Sequence, residues 1–205
     1  MGLFEKPEKD KKPYIKGEKE KRAQVERQVM EYLAIHKFKE ASLAVAAYGA
    51  EQITPRGIGM DWKHHNPNHD IEMLKTIFER KPKILVHLGI KNDKLETLRI
   101  AAAMMLLWGA ANAKKWLPAD FEIDSPIEYN VVVRMIAFSG THQSTLERYR
   151  NEGIKYVEVL TPLDSCEFCK KLAGRHFKIN EAPELPYEHC THKMGCRCCF
   201  LAIID

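Results

Sequence analysis

Tyr156-Val-Glu-Val-Leu160, followed six residues on by Cys166-Glu-Phe-Cys169, is where this chain of 205 residues changes character. Upstream, helix formers dominate and apolar residues recur at three- and four-residue spacing. Downstream, Arg175-His-Phe-Lys-Ile179 and Cys199-Phe-Leu-Ala-Ile-Ile204 are short β-rich runs separated by Pro, Gly, Asp and Cys, the pattern of a small sheet. All six cysteines lie at or beyond position 166. The expected architecture is therefore a mainly α N-terminal body with a small β-rich zinc-knuckle module at the C-terminus, α+β overall.

Hydrophobic residues at 45% and charged residues at 29% exclude wholesale disorder and fibrous repeats. A net charge of +4 is too small to mark a protein that coats DNA. The longest apolar run, Ile100 to Ala111, spans 12 residues, against about 20 for a membrane crossing, and reads as a buried core helix. Positions 1–20 hold little apolar beyond Leu3, Phe4, Tyr14 and Ile15, so a mobile charged tail is expected there. No signal-peptide run opens the chain, so the expected setting is cytoplasmic or virion-associated, not secreted and not membrane-bound.

Positions 21–153 read as the helical body. Val25, Val29 and Leu33 stack on one face of a helix that starts at Glu18 and is interrupted near His36. Ile53 to His69, with two glycines and two prolines, reads as a loop, and Asp70 as the cap of the next helix. Asn92 or Asp93 caps a long helix through the apolar run to about Trp116. Ser125-Pro-Ile-Glu128 has the order of a helix start, Gly140 reads as an interruption or kink, and Gly153 as a left-handed terminator.

Positions 154–205 read as a zinc-binding module. Cys166 and Cys169 have the spacing that lets two thiolates face one ion while backbone N–H groups turn toward the sulfurs. His192-Lys-Met-Gly-Cys196 supplies an imidazole and a thiolate, with Gly195 permitting the tight turn of a second knuckle. Cys196 is the first choice in this half. Cys190, Cys198, Cys199 and His189 are a surplus, and β alternation can turn Cys198 to the same side as Cys196, so the fourth ligand stays open. Four protein ligands leave no place for water or substrate, which makes the Zn²⁺ structural.

The run from Thr145 through Gly153, Tyr156-Val-Glu-Val-Leu160 and Cys166-Glu-Phe-Cys169 to Leu172-Ala-Gly-Arg-His-Phe177, then Glu181-Ala-Pro-Glu-Leu-Pro186 and Gly195-Cys-Arg-Cys198, resembles the C-terminal part of the phage Mu F-like minor head (head morphogenesis) proteins. The resemblance covers about residues 140 to 204. It implies Cys166, Cys169 and Cys196 as ligands, His192 as the fourth, and a role in virion assembly. Two features depart from the family pattern: three residues separate His192 from Cys196 rather than two, and Cys190-Thr191 is additional.

Lys63-His-His-Asn-Pro-Asn-His-Asp70 is the rival site. His64, His65, His69 and Asp70 are the residue types of a metal-dependent hydrolase or nuclease, although no helical His-Glu-x-x-His pattern accompanies them. Arg148, Arg150, Lys170, Lys171, Arg175, Lys178, Lys193 and Arg197 can give the C-terminal region a basic face. The reading is a zinc-stabilised, non-enzymatic interaction protein of phage or prophage type that docks to protein or nucleic acid, with the hydrolase as alternative.

Overall fold

A computed structural model describes residues 18–51, 67–110 and 112–204. It is mainly helical, with a small antiparallel sheet at its C-terminal end. Helix α1 (Glu18–Ala34) and α2 (Phe38–Glu51) form an antiparallel pair broken at His36, whose φ of 57° reverses the chain. The His36 ring stacks on Phe38 at 5.5 Å and meets the edge of Phe78 at 5.1 Å, which holds this unusual backbone in place. Val29 and Leu33 are fully buried on the expected face.

Helix α3 (Pro67–Glu79) starts three residues before the expected cap. Pro67 occupies the first helical position, where a missing N–H costs nothing, and Asp70 lies within the first turn rather than outside it. Short α4 (Lys83–His87) leads to α5 (Asn92–Trp108), which carries the apolar run. Ala101, Ala102, Ala103 and Met104 are fully buried, as a core helix requires. The helix stops at Gly109, φ +57°, not near Trp116; a separate 3-10 turn spans Lys114–Trp116.

Helix α6 (Tyr129–Asn151) runs through Gly140 without a break. The glycine serves a crossing instead: a Cβ there would lie 3.0 Å from Ile77 Cγ1 and 3.1 Å from the Met73 carbonyl oxygen on α3. Ser125 does not begin the helix, which opens four residues later. At the other end Gly153, φ +79°, donates to the Arg150 carbonyl and Ile154 donates to that of Tyr149. Those two bonds satisfy carbonyls that the helix end leaves open.

Beyond the helices, β1 (Tyr156–Leu160), a single turn α7 (Glu167–Lys170), β2 (His176–Lys178) and β3 (Cys199–Ile203) complete the chain. The strand order is β2-β1-β3, both pairings antiparallel, with Val157 opposite Phe177 and Ala202. Val157, Val159 and Phe200 point inward. One hydrophobic core runs from α1 to β3 and takes in Cys169, Cys190, Cys196 and Cys198. Among the described residues no helix is long and apolar enough to cross a membrane. Of the tail expected over 1–20, residues 18–20 belong to α1 and the remainder lies outside the described residues.

Candidate metal centre

Two stretches of the C-terminal region bring sulfur to one place. Cys166 sits at the N-terminal cap of α7, in extended backbone, and Cys169 sits on that turn. Three residues of helix return the second thiol toward the first, and the Cys169 backbone N–H reaches the Cys166 sulfur. The other stretch is the loop from Tyr187 to Cys198. It is folded by bonds from Cys190 N–H to the Tyr187 carbonyl (3.0 Å) and from Gly195 N–H to the His192 carbonyl (2.8 Å). Gly195, φ +76°, lies flat on α6: a Cβ would come within 2.8 Å of Val131 Cγ1 and 3.1 Å of Met135. Arg134, one turn along, donates to the Met194 carbonyl at 3.2 Å. The loop is thus pressed onto the helix, and its sulfurs face α7.

Five sulfurs gather there. Cys166, Cys169 and Cys190 lie within 4.8 Å of one another, and so do Cys169, Cys196 and Cys198. Cys166 and Cys190 are 3.9 Å apart, and Cys169 and Cys196 are 4.0 Å apart. These lengths exclude disulfides, whose sulfurs sit about 2.05 Å apart. They are close to the edge of a tetrahedron with a metal–sulfur bond of about 2.3 Å, which is about 3.8 Å. Cysteines 169, 190, 196 and 198 are buried, Cys166 is half-buried, and Cys199 is exposed on β3. The group has the donor chemistry and spacing to hold a metal ion.

The electrostatics favour a cation as well. Burial pushes the Cys166 thiol up, but backbone N–H groups of Cys169 and Thr191 outweigh it and bring it down to about 7. Hydrogen bonds from the Cys169, Cys190 and Cys198 thiols hold Cys196 far below the ordinary thiol range, helped by the Tyr187 N–H at 3.3 Å. The proton stays on the neighbours: Cys190 is driven up by its bonds to Cys169 and Cys196, and Cys198 is pushed up to about 12. Among the four buried sulfurs, the thiolate at Cys196 is thus surrounded by protonated thiols. A bound cation displaces those protons by attracting every sulfur at once.

His192 stands outside both sulfur groups. Its Nδ1 accepts the Met194 N–H at 3.1 Å, and its Nε2 faces Arg197 at 3.4 Å and Asp164 at 3.7 Å. Arg197 also donates to Asp164 at 2.7 Å, which holds that carboxyl below the usual carboxylate range. The imidazole closes the loop from within, while Cys190 and Cys198 occupy the places near Cys169. A residue that the sequence reading passed over, His142 on α6, touches the site from behind. Its ring hydrogen-bonds the Cys198 backbone and meets the Phe200 edge at 5.8 Å, and burial holds its pKa down. Nothing in the local sequence marks it, because the contact depends on how β3 docks.

Of the rival site, His64 and His65 lie outside the described residues. Asp70 accepts from Ser42 Oγ at 2.8 Å, and His69 Nδ1 is 3.4 Å from Ser144 Oγ. Both contacts join α3 to neighbouring helices. No family model, curated protein or solved structure matches the chain.

Proposed function

We propose that this chain is a zinc-stapled, non-enzymatic interaction protein, of the head-assembly type that residues 140 to 204 resemble. The observation that carries the reading is the buried sulfur cluster, which unites α7 with the Tyr187–Cys198 loop and rests on α6. In this reading the zinc is held by Cys166, Cys169, Cys190 and Cys196. Backbone N–H groups point at the first, third and fourth of these, and Cys169 belongs to both sulfur groups. Four thiolates close the coordination sphere, so the ion organises structure and does no chemistry on a substrate.

Binding is the work of exposed side chains around the staple. Positions 154–205 carry seven Lys and Arg against seven Asp and Glu, and Leu163, Leu201, Phe168 and Met194 are exposed nearby. Balanced charge with exposed apolar groups supports a protein partner over a polyanion. The zinc is tested by elemental analysis of the purified chain: one zinc per chain is expected, and Cys169→Ser abolishes it. The mode of binding is tested by salt, because protein docking of this kind weakens little between low and physiological salt, whereas nucleic-acid binding falls steeply.

A further inference from the structure

Five sulfurs are one more than a tetrahedral ion uses. They form two triangles that share the Cys169 sulfur as a common vertex: Cys166, Cys169 and Cys190 on one side, Cys169, Cys196 and Cys198 on the other. Each triangle has one edge of similar length, 3.9 Å from Cys166 to Cys190 and 4.0 Å from Cys169 to Cys196. The other edges are no longer than 4.8 Å, so the centre of each triangle lies within about 2.8 Å of its corners, near the length of about 2.3 Å of a metal–thiolate bond. Each triangle can therefore seat an ion in its own plane.

Zn²⁺ is poorly served by three ligands, since its protein sites are four-coordinate. A soft monovalent cation is different: thiolate donors select Cu(I), and the burial of Cys169, Cys190, Cys196 and Cys198 keeps away water and harder oxygen donors. We infer that the cluster is a two-ion thiolate site for soft monovalent metal of the Cu(I) class, with Cys169 bridging and Cys198 required for the second ion. This rests on the reading of the sulfurs as metal ligands and goes beyond the single zinc. Binding involves no change of oxidation state; each thiol that ligates releases its proton to solvent.

The test is an anaerobic titration of the reduced, metal-free full chain with Cu(I) buffered by a competing chelator, with bound ions counted by native mass spectrometry. Zinc is counted in parallel. The parent takes two Cu(I) or one zinc per chain. Cys198→Ser takes one Cu(I) and still one zinc, and its retained zinc shows that it has folded. Cys199→Ser, which alters only the exposed thiol, still takes two Cu(I). A parent that binds one zinc but fewer than two Cu(I), or a Cys198→Ser chain that binds two, overturns the two-ion site and leaves the zinc reading intact. A parent that binds neither metal overturns both.

Discussion

Cys169 is the residue on which the site turns, because its sulfur is common to both groups. Cys169→Ser is expected to lose the metal and, with it, the thermal stability of the C-terminal region; retention of a full equivalent by elemental analysis contradicts the site. His192→Ala is the contrasting case. Its ring nitrogens are spent on Met194, Arg197 and Asp164, so the variant keeps one metal per chain and loses only what a partly exposed loop contact contributes, roughly 1 kcal/mol. The two-residue spacing of Cys166 and Cys169 was legible in the sequence because one helical turn alone brings them together. The choice among Cys190, His192 and Cys198 was not, since it depends on Gly195 lying flat against Val131 and Met135, residues some sixty positions earlier. A family pattern assigned the imidazole. In the structure its ring nitrogens face the Met194 N–H, Arg197 and Asp164.

At the scale of elements, two glycines show how packing overrides local preference. In an exposed helix, Gly→Ala gains about 0.5–1 kcal/mol from backbone entropy. At Gly140 the new Cβ would meet Ile77 at 3.0 Å and the Met73 carbonyl at 3.1 Å, and a carbonyl in a helix cannot step aside. Gly140→Ala is therefore expected to destabilise the protein by about 1–3 kcal/mol in urea unfolding. A gain in stability would mean that α3 and α6 do not cross there. Gly195→Ala is expected to cost at least as much, since it adds a positive φ to a 2.8 Å clash, and also to weaken metal binding in a chelator competition. Helix positions were readable from periodicity: Val29, Leu33 and the alanines of α5 are buried as their spacing demands. The helix ends were harder. Gly140 carries the same local signal as a breaker, and only its neighbour on α3 distinguishes a crossing from a kink.

The whole molecule is held by contacts that join distant segments. Glu184 accepts the Lys83 N–H at 3.0 Å at the start of α4, so a loop of the C-terminal region closes a helix of the body. Glu26 on α1 accepts from Lys115 at 2.6 Å and Arg22 at 3.0 Å. Burial pushes the Glu26 carboxyl up, but those two cations outweigh it and hold the group below its ordinary value. A depressed carboxylate stabilises the fold above its unfolded pKa and loses that contribution as pH falls through the folded one. Glu26→Gln is thus expected to unfold more easily than the parent near neutral pH, by no more than about 1 kcal/mol, with the difference vanishing in acid below the glutamate range. Urea midpoints of the two chains across that range check it, and a difference that persists in acid refutes it.

The central claim, a metal bound by sulfur alone between α7 and the Tyr187–Cys198 loop, is tested most directly by X-ray absorption at the zinc edge on the purified full chain. The account predicts four sulfur neighbours at about 2.3 Å and no nitrogen in the first coordination sphere. A spectrum that requires an imidazole nitrogen, or a chain that carries no metal while its cysteines are paired as disulfides, would contradict it.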